Sequence, residues 1–228
     1  QALPWDVEQF FLRSAGAPLI GDAPNSSAFT DLESGYPENR RRLYAHALDI
    51  IATTFNTSYM TYWAGHYASF APGQNYSDLL SWIPQRTTAV LAEINGAGGG
   101  SPFDVLGTNF ISTADSLVTL TGTAPVQVQS LLINGIPYPV TWLSVSEWTL
   151  SVPVSSPTNV LSILGCDLYG NGLTNYTASV TVNYTGSPSE PAGAVVINEI
   201  MYNALLSGAS YVELLNTSAT ASFDLSDW

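Results

Sequence analysis

The chain contains no lysine, and its positive charge comes from five arginines that all lie between Arg13 and Arg86. Aspartate and glutamate together number 18, so the formal net charge is −13. Residues 96–228 carry no positive side chain at all. Because nucleic-acid binding needs a basic stripe to hold phosphates, this composition excludes nucleic acid as a partner.

Long hydrophobic runs and cysteine pairs are missing as well. No apolar run reaches the ~18 residues that a membrane span requires. The single cysteine, Cys166, excludes an internal disulfide, and its apolar neighbours predict a buried, inert thiol rather than a reactive one. The chain starts at Gln1 without a signal-peptide pattern, which indicates a processed or truncated piece.

Large apolar side chains are nevertheless abundant. The chain has 6 Trp, 12 Tyr and 8 Phe, and 46% of its residues are hydrophobic, so it is not a disordered acidic tail. Only 10% of residues are charged. A weakly charged, lysine-free surface rich in serine and threonine is typical of an extracellular or cell-surface protein.

The pattern divides the chain and predicts a multidomain α + all-β fold. Residues 1–95 are expected to be helical, with helices at about 40–55, 58–70 and 76–94. Asn39 is a plausible N-cap of the first helix, and Pro84 is expected to kink or divide the third.

The later residues favour β-structure. Residues 96–104 are Gly-rich and indicate a flexible linker, since neither a preceding strand nor a following lysine supports a phosphate loop. Period-two alternation then predicts an immunoglobulin-like β-sandwich over 105–186, with a hairpin turn at Asn134-Gly135. A second linker follows at 187–193. The final segment, 194–228, has strands expected near 195–201, 211–215 and 222–225.

The helical part resembles the end of the CotH kinase-like family of secreted bacterial proteins. The motifs that carry this resemblance are Asn39 to Tyr44, Phe55 to Met60, Trp63 to Ser69 and Pro72 to Tyr76. The opening Pro4-Trp5-Asp6-Val7-Glu8 is similar to the family's Pro-Trp-Asp-x-Asp strand. The resemblance implies that Asp6 is a Mg²⁺ ligand, whereas Glu8 departs from the family's second aspartate. The structural alternative is an ordinary strand end at which both acids are solvated. The nucleotide-binding lobe and catalytic loop would precede Trp5, so no catalytic residue is expected here.

Two further resemblances follow along the chain. Residues 121–185 resemble a bacterial immunoglobulin-like module, with Trp148 to Pro153 and Asp167 to Asn171 among its marks. Residues 195–228 look like the start of a lamin tail domain, an immunoglobulin-like sandwich of which about a third is here. The order of the three modules is itself a pattern of such secreted proteins.

Several residues suggest a ligand site, each with a structural alternative. Asp167, Asn171 and Glu147 would suit Ca²⁺, but Asp-x-x-Gly-Asn is equally what a tight strand connection uses. His46 and His66 are expected to be core or boundary histidines, because no second ligand sits at metal-binding spacing. Six Asn-x-Ser/Thr sequons are glycosylation candidates if the host glycosylates: Asn25, Asn56, Asn75, Asn175, Asn183 and Asn216.

Two helical features receive an ordinary structural interpretation. Arg40, Arg41 and Arg42 are expected to pair with nearby carboxylates on the surface. The Tyr/Trp stripe over 59–70 is expected to face the core, with a sugar-binding platform as the alternative.

These observations lead to one hypothesis and two alternatives. The chain is expected to be a non-catalytic structural or adhesive segment of a secreted modular bacterial protein, with other copies of itself or other surface and matrix proteins as partners. No cofactor is required, although Ca²⁺ or Mg²⁺ remain candidates. The alternatives are part of a CotH-type kinase whose catalytic lobe lies upstream, and a carbohydrate-binding module.

Overall fold

The structure is a computed structural model that describes residues 14–19, 35–73, 76–186, 191–206, 208–219, 221–223 and 225. These residues form helices α1 (Pro37–Thr53), α2 (Thr57–Ala68) and α3 (Tyr76–Gly96), followed by β-sheets that hold more residues than the helices. The coarse prediction of helices followed by several sheets is confirmed. The strands, in chain order, are β1 Asp104–Val105, β2 Phe110–Thr113, β3 Leu117–Thr123, β4 Ser130–Ile133, β5 Ile136–Tyr138, β6 Thr141–Trp142, β7 Glu147–Pro153, β8 Thr158–Cys166, β9 Gly172–Tyr184, β10 Val195–Met201 and β11 Tyr211–Asn216.

Two helix details differ from the sequence prediction. Helix α1 begins at Pro37 with Tyr36 as its N-cap, so Asn39 is not the cap. Proline starts a helix readily because its fixed φ is already helical and its missing amide would be unpaired there. Helix α3 runs through Pro84 as one 21-residue helix, so the helix is not divided there, and the alternative of a kink stays a prediction.

Two sheets pack face to face around one core. The first has the strand order β1-β3-β7-β6, and the second has the order β2-β9-β8-β4-β5, with β2 parallel to β9. Leu120 and Trp148 from the first sheet belong to the same buried cluster as Leu131, Ile163 and Val180 from the second. The residues of β3, β7 and β9 alternate between this core and the surface, as the period-two pattern predicts.

Turn chemistry and a glycine set the geometry of these sheets. Asn134 and Gly135 both have positive φ, 53° and 83°, so the predicted hairpin turn between β4 and β5 is confirmed. Gly122 pairs with the fully buried Trp148 across β3 and β7. A Cβ at position 122 would overlap the Trp148 ring, so only glycine leaves room for that indole.

The Gly-rich segment connects the helices to the sheets through hydrogen bonds, where the sequence predicts a flexible connector. The Gly99 amide donates to the Ile94 carbonyl at 2.8 Å, and the Val126 amide donates to the Gly99 carbonyl at 2.9 Å. A side chain at Gly99 would overlap that of Ile94. The glycines are therefore explained by close packing between the end of α3 and the sandwich.

Arg41 joins α1 to the sandwich. Its side chain is fully buried, and its guanidinium donates to the carbonyls of Ala124, Pro125, Val128 and Val145. The distance is 3.2 Å to Ala124 and 2.8 Å to Pro125. The guanidinium carbon also lies 3.3 Å from the centroid of a Trp142 ring, a cation–π contact.

The expectation that the three arginines pair with surface carboxylates is therefore wrong for Arg41. Among the described residues, Arg42 forms such a pair, an exposed contact of 3.9 Å with Glu38 one turn earlier. Arg41 lies three and four residues before Tyr44 and Ala45, which are both buried, so it belongs to the buried face of α1. Burial lowers the pKa of Arg41 to about 9, which still leaves the guanidinium charged at neutral pH.

A small apolar cluster surrounds this contact. Tyr44 from α1 and Val90 and Ile94 from α3 pack with Val126 and Val145 from the sandwich loops. The helices and the sandwich thus share a second buried core, which removes apolar surface from water on both sides. Helices α1 and α3 are therefore attached to the sandwich by packing as well as by the chain.

We predict that Arg41→Met destabilises the protein by about 2–4 kcal/mol, because buried carbonyls lose their donors while the apolar stem is kept. The matched change on the exposed neighbour, Arg42→Met, should alter the free energy of unfolding by less than about 0.5 kcal/mol. Urea unfolding followed by far-UV circular dichroism measures both values. Equal midpoints for the two variants would contradict the role given to Arg41.

Candidate functional site

The predicted Ca²⁺ residues Asp167 and Asn171 lie in the turn that connects β8 to β9. One carboxylate oxygen of Asp167 accepts hydrogen bonds from the amides of Tyr169 and Asn171, each at 2.8 Å. The other oxygen accepts from the Asn171 side-chain amide at 3.0 Å. Gly170 supplies the positive φ of 81° that completes the turn. These contacts are the ones that a tight Asx-type turn uses.

This hydrogen bonding accounts for the electrostatics of the turn. The side chain of Asn171 and then the surrounding backbone amides lower the pKa of Asp167, because they stabilise its charged form. Glu147 begins β7 in the opposite sheet. Within the described residues, no group of three or more His, Cys, Asp or Glu side chains could hold a metal ion.

The same turn contacts helix α1. The Tyr169 hydroxyl donates to the Asp49 carboxylate at 2.9 Å. This hydrogen bond, with the negative charge of Asp49, raises the pKa of Tyr169 because ionised tyrosine would be repelled. The turn therefore adds a polar contact between the helices and the sandwich, at a distance in sequence of 120 residues.

The aromatic stripe over 59–70 is exposed apart from Trp63, which is partly buried, so the expectation that the stripe faces the core is wrong. Ala64 is the only residue of α2 that is buried, whereas Tyr62 and Phe70 are 69% and 74% exposed. His66 is exposed among these rings, and His46 is exposed on α1, so neither is a core histidine. Hydrophobic periodicity predicts that a helix has an apolar face, but it does not predict whether another element of the protein packs against that face.

A second exposed surface lies on the hairpin formed by β10 and β11. Ile197 pairs with Leu214, and Ile200 pairs with Val212, with a bulge between Ile197 and Glu199. Cross-strand partners share a face, so the bulge keeps four branched aliphatic side chains together. We call these four residues the hairpin apolar face. Each of them is between 52% and 60% exposed.

The opposite side of the hairpin is more polar. Glu199 pairs with Glu213, and the side-chain amide of Asn198 donates to the Glu213 carboxylate at 2.5 Å. A hydrogen bond to Glu199 raises the pKa of Tyr211. The described residues 221–223 and 225 are not assigned to a strand, in contrast to the third strand expected there.

The remaining candidate residues are dispersed. Asp6, Asn25 and Asn75 lie outside the described residues. Asn56 is the N-cap of α2, and its side-chain oxygen accepts from the Tyr59 amide at 3.0 Å. Three more sequon asparagines lie on strands: Asn175 and Asn216 are exposed, and Asn183 is partly buried.

Cys166 is buried, and this burial raises the pKa of its thiol, in line with the inert thiol predicted.

We predict that Asn171→Ala raises the pKa of Asp167 toward that of an ordinary aspartate, because the largest stabilisation of the carboxylate is removed. Since the folded-state pKa is depressed, this contribution to stability is present at neutral pH and is lost as the pH falls through that pKa. Carbon-detected NMR titration of the aspartate carboxyls measures the shift. The exposed Asn175→Ala change is the control, and an unaltered Asp167 titration in Asn171→Ala would refute the assignment.

The described helices include none that is long and apolar enough to cross a membrane. No family model matches the chain, and no curated protein matches it either. Among solved structures, the chain is similar to SGBP-B of the Bacteroides ovatus mixed-linkage glucan utilization locus, in complex with a mixed-linkage heptasaccharide. That match has 17% sequence identity and a TM-score of 0.22, and it covers 41% of this chain and 25% of the other.

Proposed function

We propose that the chain is a non-catalytic, structural or adhesive segment of a secreted modular protein, and that its terminal hairpin is completed by further β-strands. The observation that carries this proposal is the hairpin apolar face, four aliphatic side chains that are all more than half exposed. In this proposal the sandwich is the immunoglobulin-like module and the hairpin begins the lamin tail domain, which places the chain outside the cell or on its surface.

The hairpin needs a partner for physical reasons. An isolated two-stranded hairpin is marginally stable in water, and stable sheets add strands or pack on a second layer. Every described residue of β11 is exposed, and no residue of β10 is buried. Among the described residues, β10 and β11 form a sheet of only two strands, so each has an outer edge to which a further strand can hydrogen-bond. The bulge near Asn198 distorts the edge of β10, so β11 offers the more regular edge.

A structural role is also supported by how the arginines are used. Phosphate transfer needs cationic side chains that hold the phosphates. Arg41 donates to backbone carbonyls of the sandwich, and Arg86 donates to the carbonyls of Ala15 and Ala17. Arg42 is exposed beside Glu38. Two of the five arginines therefore hold parts of this chain together.

We predict that the full chain associates reversibly through its hairpin at concentrations of about 10–100 μM, a range typical of weak protein contacts. The double change Ile200→Ser with Leu214→Ser should abolish this association, because it removes half of the hairpin apolar face. Sedimentation velocity across that concentration range measures the mass.

The matched control is Leu143→Ser with Val160→Ser, two aliphatic side chains of similar exposure, 56% and 57%, outside the hairpin. This control should associate as the unaltered chain does. A strictly monomeric chain whose β10 and β11 amides exchange hydrogen as slowly as those of the sandwich would contradict the proposal, since the hairpin would then be stable without a partner.

A further inference from the structure

The aromatic rings along α2 and just after its end form one contiguous cluster, which we call the α2 aromatic face: Tyr59, Tyr62, Trp63, His66, Tyr67 and Phe70. Trp63 is partly buried, and the other five side chains are exposed. The Trp63 and Tyr67 rings are close to parallel, at 25°, with centroids 5.8 Å apart. The His66 ring stands nearly perpendicular to both, 5.7 Å from Trp63 and 5.2 Å from Tyr67. Each ring is thus held in place by its neighbours, which lowers the entropy lost when a ligand binds.

The chemistry of this face differs from that of the hairpin apolar face. The hairpin presents branched aliphatic side chains, as the inner side of a β-sandwich does. The α2 aromatic face instead combines ring surfaces with three tyrosine hydroxyls, an imidazole and an indole. Such side chains give apolar contact and hydrogen bonds at the same position.

Charge narrows the class of ligand. Between Thr57 and Ala68 there is no Asp, Glu, Lys or Arg, and the chain as a whole carries a net charge of −13. Anionic ligands such as phosphates, sulfated sugars and acidic lipids are repelled by that net charge. Cationic ligands are attracted by that net charge and by aromatic rings, but no carboxylate on this helix would form an ion pair with them. The three tyrosine hydroxyls and the imidazole instead suit a neutral ligand with flat apolar surfaces and many hydroxyl groups.

We propose that the α2 aromatic face binds a neutral oligosaccharide. The C–H surfaces of pyranose rings would lie against the exposed rings, and the sugar hydroxyls would exchange hydrogen bonds with the tyrosine hydroxyls and His66. Because this site lies on α2 and the proposed assembly surface lies on the hairpin, it does not depend on how the hairpin is completed.

The experiment uses saturation-transfer difference NMR on the full chain with four probes: cellohexaose, xylohexaose, mannohexaose and chitohexaose. We expect at least one probe to receive saturation from aromatic protons and to bind with a Kd below about 1 mM, the lower limit of useful affinity. Trp63→Ala with Tyr67→Ala should weaken that binding at least tenfold. Tyr202→Ala, which removes a tyrosine that is 87% exposed outside α2, should leave it unchanged.

Folding of each variant is checked by its thermal transition, and the exposed His66→Ala serves as a second test that leaves the Trp63–Tyr67 contact in place. Weakened binding in His66→Ala, with an unchanged thermal transition, supports the site. The proposal is overturned if none of the four probes binds, or if binding survives in both α2 variants. It is also overturned if the α2 variants abolish a protein–protein association that the oligosaccharides do not inhibit, since the face would then be a protein interface.

Discussion

The buried guanidinium of Arg41 is the contact on which the arrangement of the helices and the sandwich depends. In the part of the chain that the structure describes, it contacts no carboxylate, and its charge is balanced by four backbone carbonyls and the face of Trp142. The planar fork of arginine can reach several carbonyls at once, which a lysine ammonium cannot do in the same way. Those carbonyls belong to two loops of the sandwich, residues 124–128 and residue 145, so one side chain fixes both loops against α1.

The Arg41 contact explains the packing of the segments around it. The Gly-rich connection packs closely because α3 ends beside the loop that Arg41 holds. The Tyr169–Asp49 hydrogen bond attaches α1 to the sandwich about two turns further along the helix. In contrast, most side chains of the α2 aromatic face and all four of the hairpin apolar face are exposed to solvent. The two faces differ in chemistry, since one is aromatic and carries hydroxyl groups and the other is aliphatic, so we propose a different partner for each.

The features that the sequence predicts well are those that local physics decides. Alternating residues place Val180 and Val182 in the core, Asn134-Gly135 requires positive φ, and Asp167 to Asn171 forms a turn from its own hydrogen bonds. The features that were predicted wrongly depend on tertiary packing, that is, on which parts of the protein contact a given face of a helix. Arg41 has the spacing of a buried residue, but its type suggests the surface, and only the loops opposite supply the carbonyls that make burial possible. The α2 stripe has the composition of a core, yet no described element covers it.

Native-state hydrogen exchange, read by NMR at single amides, tests most directly whether the helices and the sandwich are one cooperative unit. We expect the slowest amides of α1, α3 and the central strands β3, β7 and β8 to exchange with the same free energy of opening, and to lose protection together under mild denaturant. If the α1 amides opened at a far lower free energy while the strands stayed protected, the helices would be an independent unit and Arg41 would not join them to the sandwich.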